Sequence, residues 1–154
     1  MVALRYITPD FAVAPQLEVF DFADIAARRF GAVIDNRPDD EPGVTVASGE
    51  AGTLARHADL EFAYLPAGSN DLFDIDLIDH IDRALHTMPG PVLAYCKSGT
   101  RSAILWAVAT VRHRPVDEVL DQLAAAAFDF AFLRDEFEAE AARYRACCTD
   151  RQAA

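Results

Sequence analysis

Positive charge is scarce in this chain: 14 Lys and Arg stand against 25 Asp and Glu, a formal net charge of −11 over 154 residues. Such a surface repels polyanions, and no Lys/Arg cluster interleaves with aromatic residues, so nucleic acids and anionic membranes are excluded as expected partners. Long apolar runs are missing too. The longest, residues 103–111, is too short to cross a bilayer, and residues 1–17 lack the basic stretch and following apolar run of an export signal. Cysteine is sparse and odd in number, with three at Cys96, Cys147 and Cys148. That count argues against a disulfide framework and for individual thiol chemistry, and the expectation is a soluble cytoplasmic protein.

What is present fits one folded domain. Apolar residues make up 52% and charged residues 25%, ordinary for a globular chain, and a chain of this length buries about two-thirds of its unfolded surface. We expect a single domain over residues 1–148, with 149–154 fraying. Short extended pieces around Tyr6-Ile7 and residues 11–13 flank Thr8-Pro9-Asp10 and predict a hairpin. Helical spacing over 21–30, a buried strand at 32–34 and a polar loop at 36–43 follow. A helix over 50–59, a strand over 61–65, a loop from Pro66, a third helix striped by Ile75, Ile78, Ile81 and Leu85, and a strand over 91–95 complete a β-α-β rhythm. Residues 102–112, 115–127 and 133–145 read as helices, with no strand after Tyr95. The pattern is α/β, a mostly parallel central sheet with helices on both faces and an all-helical C-terminal part, and ligand sites in such sheets lie outside the strands' carboxyl ends.

Cys96 stands just past the last strand, at the head of Cys96-Lys97-Ser98-Gly99-Thr100-Arg101-Ser102. A strand, a short loop with a glycine and a helix beginning near Arg101 or Ser102 form a concavity of backbone N–H groups reinforced by the helix's positive end. Such a nest binds an anion, and it should hold Cys96, at its mouth, as a thiolate with a pKa below the free value of about 8.5. Lys97, Ser98, Gly99, Thr100 and Ser102 are the expected anion-binding loop. Arg101 brings a planar fork that holds two oxygens of a tetrahedral oxyanion, Gly99 permits torsions closed to other residues, and Ser102 can donate to the departing sulfur.

The chain resembles the phosphatase-like domain of the beta-lactamase hydrolase-like proteins, within the protein tyrosine phosphatase fold group. The resemblance is carried by Phe11-Ala12-Val13-Ala14-Pro15-Gln16-Leu17, Val33-Ile34-Asp35-Asn36-Arg37-Pro38-Asp39 and residues 90–102. It implies a protein tyrosine/dual-specificity phosphatase-like fold, a nucleophile at Cys96, an anion-binding Arg101 and an Arg37 loop rimming the same pocket. Phosphatases of this fold take a general acid from a loop after an earlier strand, where Asp71, and less well Asp74, stands. Two departures matter: four residues rather than five separate Cys96 from Arg101, and Tyr95 occupies the place usual for His. The shorter loop resembles that of rhodanese-type sulfurtransferases, which carry a persulfide on the cysteine, whereas the all-helical tail resembles the phosphatases.

Three readings follow: hydrolysis of a phosphate monoester through a phosphocysteine at Cys96, sulfur transfer between a thiol or persulfide donor and an acceptor, or a non-catalytic anion-binding module. The partner is a small anionic or phosphorylated substrate in the first. No cofactor and no metal are expected. Arg37, between Asp35 and Asp39, is equally open to a local ion pair. Asp39-Asp40-Glu41 reads as a solvated loop, and Cys147 or Cys148 as a remote prospect for a resolving thiol. His57, His80, His86 and His113 are dispersed without metal-ligand spacing.

Overall fold

The computed structural model describes residues 2–153. Strands β1 (Arg5–Thr8) and β2 (Phe11–Ala14) form the expected opening hairpin, followed by α1 (Asp21–Ala27), β3 (Ala32–Asp35), α2 (Ser48–His57), β4 (Glu61–Tyr64), α3 (Ile75–Thr87) and β5 (Val92–Tyr95). The remainder is helical: α4 (Thr100–Thr110), α5 (Val116–Ala125), a short 3-10 turn at Ala131–Leu133 and α6 (Arg134–Ala153). Most bounds shift by one to three residues from expectation, and two of the shifts matter here. Helix α4 starts at Thr100, because Gly99 in the left-handed region (φ 92°) ends the loop there, and α6 carries helical backbone to Ala153, within the 149–154 stretch expected to fray.

The five strands lie in the order β1-β2-β5-β3-β4, antiparallel between β1 and β2 and parallel elsewhere. This order puts β5, which delivers Cys96, at the centre. All four β5 residues are buried. Their side chains alternate between the two layers, Val92 and Ala94 into one apolar cluster and Leu93 and Tyr95 into the other, as period-two geometry requires of a strand covered on both faces. Helices α1 and α2 cover one face through Phe22, Ile25, Ala51 and Ala55. The other face is covered by α3 to α6.

Helix α3 is amphipathic, with Ile78, Ile81 and Ala84 inward and an Asp74 side chain that accepts the Leu77 N–H at 2.9 Å as its N-cap. Helix α4 buries eight consecutive residues, Ser102 to Ala109, because it lies between the sheet and α3, α5 and α6. Trp106 stacks on Phe11 of β2 with ring centroids 5.7 Å apart, which fixes the helix against the sheet and so fixes the loop that begins it.

Candidate active site

Cys96 leaves the central strand with its amide donating to Ala14 O at 3.4 Å. The chain then turns so that the Gly99 N–H donates to the Cys96 sulfur at 3.1 Å. Glycine is required at 99 because its φ is +92°, a conformation that L side chains rarely adopt. The Ser98 hydroxyl and Thr100 brace the turn. Among the described residues, the amides of Lys97, Ser98, Arg101 and Ser102 face no protein acceptor. These donors lie at and just before the first turn of α4, where the helix's positive end adds its field, a geometry suited to an anion. The sulfur does not stand at the loop's mouth, as expected, but is fully buried.

Arg101 is held by Glu41, a member of the acidic stretch expected to be solvated. Glu41 accepts from Arg101 Nη1 at 2.5 Å and from Nη2 at 2.9 Å, and Ala67 O accepts from Nη1 at 2.6 Å. A guanidinium has five N–H groups. Three are thereby engaged, and the two left, Nε–H and the second Nη2–H, share one edge of the plane, the pair that matches two oxygens of a tetrahedral anion. Glu41 thus aims Arg101. The pairing raises the Arg101 pKa further, Glu41 first, with Cys96 adding a smaller attraction against the cost of burial. In return the Glu41 carboxyl is held below the ordinary range, chiefly by the Arg101 hydrogen bond.

Arg37 is not a rim residue. Its side chain is 4% exposed, and it donates to Glu41 at 3.1 Å, Gln16 Oε1 at 2.8 Å and Pro42 O at 2.8 Å. Its partner is therefore Glu41 rather than Asp35 or Asp39, and its work is to fold the 37–43 loop so that Glu41 meets Arg101. Ser102 also departs from expectation: buried, it donates to Asn36 Oδ1 at 2.8 Å rather than to the sulfur. Asn36 in turn donates to Leu65 O, so the ends of β3, β4 and α4 are tied together behind the loop.

Beneath that tie lies Asp35, opposite Tyr95 in the sheet register. Burial raises the Asp35 pKa to about 6, opposed by the Arg37 backbone N–H on its Oδ1 at 2.9 Å. The Tyr95 hydroxyl is buried with no hydrogen-bond partner among the described residues, and its pKa is raised by burial first and by the Asp35 charge second. Tyr95 is thus a neutral phenol packed behind the loop.

Asp71 lies on the 66–74 loop, where its Oδ2 accepts the Gly68 N–H at 2.9 Å; the same loop reaches Arg101 through Ala67 O. Asp74 is removed from candidacy by its capping role. Cys147 and Cys148 line a cavity with Arg112 and His113, at the opposite end of α4 from Cys96. The helix is 11 residues long, about 16 Å at 1.5 Å per residue, so neither thiol can resolve a Cys96 intermediate in this arrangement. Two of the dispersed histidines, His86 and His113, meet Asp82 at that same far end, a grouping their sequence spacing concealed.

Residues 3–113 match the family described as beta-lactamase hydrolase-like protein, phosphatase-like domain. A beta-lactamase hydrolase-like protein of Xylella fastidiosa is 31% identical over 105 residues, covering 68% of this chain and 24% of that protein. Its counterpart in Agrobacterium fabrum is 31% identical over 110 residues, covering 69% and 24%. The chain therefore spans 24% of the length of these curated relatives. Among solved structures, a candidate phosphatase from Neisseria meningitidis superposes with a TM-score of 0.74 at 25% identity over 88% of this chain and 96% of that one. Kinase associated phosphatase, at 12% identity, shares the fold with a TM-score of 0.65 over 92% and 96%. No described helix is long and apolar enough to cross a membrane. With a mostly parallel sheet that delivers Cys96 to the loop at its carboxyl edge, on a protein tyrosine/dual-specificity phosphatase-like scaffold, the chain belongs to the phosphatase-like domain family of the beta-lactamase hydrolase-like proteins.

Proposed function

We propose that this domain hydrolyses a phosphate monoester with Cys96 as nucleophile. The observation that carries the reading is the loop itself: the Gly99 N–H meets the sulfur and the amides at Lys97, Ser98, Arg101 and Ser102 face no protein acceptor, with the free edge of Arg101 aimed by Glu41. The thiolate attacks phosphorus in line, the P–O bond to the leaving group breaks, and a phosphocysteine forms. Water then cleaves the S–P bond, releasing inorganic phosphate and restoring the thiolate. Charge on the three equatorial oxygens is met by the amides and by Arg101, which are oriented before the reaction begins. Asp71 protonates the leaving oxygen in the first step and draws the proton from water in the second; it stands on the loop whose Ala67 carbonyl touches Arg101. With Cys96 fully buried, a substrate reaches the sulfur only after a local rearrangement around the loop.

A second reading is favoured by the loop length. With only Lys97 to Thr100 between Cys96 and Arg101, and with the Cys96 amide turned to Ala14 O, the nest is small, which suits a persulfide carried on Cys96. One experiment separates the readings. The protein is incubated with an aryl phosphate and, separately, with thiosulfate plus cyanide, alongside Cys96→Ser. Phosphate release lost in Cys96→Ser is the expected result, and thiocyanate formation lost in the variant selects sulfur transfer instead. Phosphate release equal in both proteins removes Cys96 from the mechanism. Anion binding without either product leaves only the binding-module reading.

A further inference from the structure

At the end of α3 and α4 remote from Cys96, Asp82, His86 and His113 offer three ligand atoms that all lie within 4.8 Å of one another. We propose that these three side chains form a binding site for a late first-row divalent cation of the zinc class. Asp82 and His86 are one helical turn apart on α3, and His113 arrives from the turn after α4. His113 Nε2 lies 2.9 Å from Asp82 Oδ1, and His86 Nδ1 lies 3.2 Å from the same oxygen. Ligand atoms around a tetrahedral zinc, with bonds of about 2.0–2.1 Å, stand about 3.3 Å apart. The two observed spacings are within a few tenths of an ångström of that. An ion pair would need one imidazole; here two converge on one carboxylate oxygen, with ring centroids 4.7 Å apart.

The carboxylate is oriented from behind. Arg112, its side chain 2% exposed, donates to Asp82 Oδ2 at 3.3 Å and leaves Oδ1 to the imidazoles. Arg112 is itself fixed by Glu140 at 2.7 Å and Asp79 at 2.9 Å, and its guanidinium lies 5.0 Å from the Tyr144 ring centroid, while that ring meets His113 edge-on. Outer partners that lock a ligand's direction are the usual support of metal sites. Before metal binds, His86 Nδ1–H donates to the Asp82 carbonyl at 2.8 Å; its side chain is 61% exposed, so the ring is free to exchange that bond for a metal bond.

The donor set selects the ion. Two imidazoles with one carboxylate suit zinc, cobalt or nickel, whereas magnesium and calcium take oxygen ligands. The cluster lines a cavity of about 430 Å³ together with Asp79, Arg83, Arg143, Arg151, Cys147 and Cys148. Those arginines favour a small anionic fourth ligand such as hydroxide. A cation here ties the end of α3 to the α4–α5 corner.

The test uses the full chain carrying Cys96→Ser, so that the active-loop thiol cannot bind the metal. Zn²⁺ is titrated against a chromophoric chelator, and the thermal midpoint is read with and without Zn²⁺. The expected result is one equivalent bound at micromolar affinity or tighter, with a rise in midpoint. His86→Ala and His113→Ala should each weaken binding by at least about tenfold and abolish the rise, with folding of each variant checked by circular dichroism. Excess Mg²⁺ should not displace the Zn²⁺, and the double change Cys147→Ser, Cys148→Ser should leave the stoichiometry intact. The proposal is overturned by absence of binding, by an affinity unchanged in His86→Ala, by displacement with Mg²⁺, or by loss of the equivalent in the double cysteine variant.

Discussion

Replacing Glu41 with glutamine tests whether one carboxylate both folds the 37–43 loop and aims Arg101. In the wild-type protein its two oxygens accept three N–H bonds, two from Arg101 and one from Arg37. Glutamine keeps the shape but offers a single acceptor oxygen and turns an amide N–H₂ against a guanidinium. Charge-assisted hydrogen bonds contribute about 1.5–3 kcal/mol each. The Glu41 side chain is 25% exposed, and solvent screening lowers the expected loss to about 1–2 kcal/mol of folding stability. The pH dependence carries its own sign. Because Arg101, and then Arg37, hold the Glu41 pKa below its ordinary value against the opposing effect of burial, the wild-type advantage is fully present above about pH 5. It disappears as pH falls through the depressed folded value. Urea unfolding of both proteins at pH 7, and at steps down to about pH 2, reads the difference directly, since every other group titrates alike in the pair. Misaiming the free edge of Arg101 should also lower kcat/KM for an aryl phosphate by about tenfold, equivalent to about 1.4 kcal/mol of transition-state stabilisation. Equal urea midpoints at pH 7, or a difference that persists at the lowest pH, would refute the reasoning.

Asp71→Asn should slow hydrolysis of an ester with a poor leaving group by about a hundredfold and of an activated aryl ester much less; equal slowing of both would remove Asp71 as the acid. Gly99→Ala must adopt a φ of +92°, so a loss of about 1–2 kcal/mol in urea unfolding is expected together with weakened phosphate binding. An unchanged urea midpoint would show that the turn relaxes. Asp35, 2% exposed with its pKa raised to about 6, contributes stability through its neutral form that is present below the ordinary Asp value and lost as pH rises through about 6. The shift sets a ceiling of about 3 kcal/mol. Asp35→Asn, whose Oδ1 can still accept the Arg37 amide, should be about 1–2 kcal/mol more stable than wild type at pH 8 and should flatten the profile between about pH 4 and 7. A wild-type profile that is already flat across that window would count against the buried carboxylate.

The local features of the fold were legible from sequence. The 91–95 run is apolar throughout because β5 is covered on both faces, and α3 announces itself by the spacing of Ile78 and Ile81. The Cys96–Arg101 loop could be read because strand, glycine and helix start are contiguous and their backbone geometry is set within seven residues, 96–102. Missed were the partners that other segments supply. Glu41 looked like part of a solvated acidic loop because nothing near it in sequence reveals Arg101, 60 residues on. Nothing beside Ser102 in sequence reveals its acceptor Asn36, 66 residues away. His113 and Asp82, 31 apart, meet only because α3 and α4 pack side by side on one face of the sheet.

Sequence alone determined the alternation of elements and the local geometry of the loop, since both depend on side-chain periodicity and on backbone torsions within a few residues. The tertiary structure decided where that loop points, what aims Arg101, and what lies at the other end of α4. Those depend on the strand order β1-β2-β5-β3-β4, which brings the ends of β3 and β4 to the loop after β5 by contacts between segments that carry no local signature of one another.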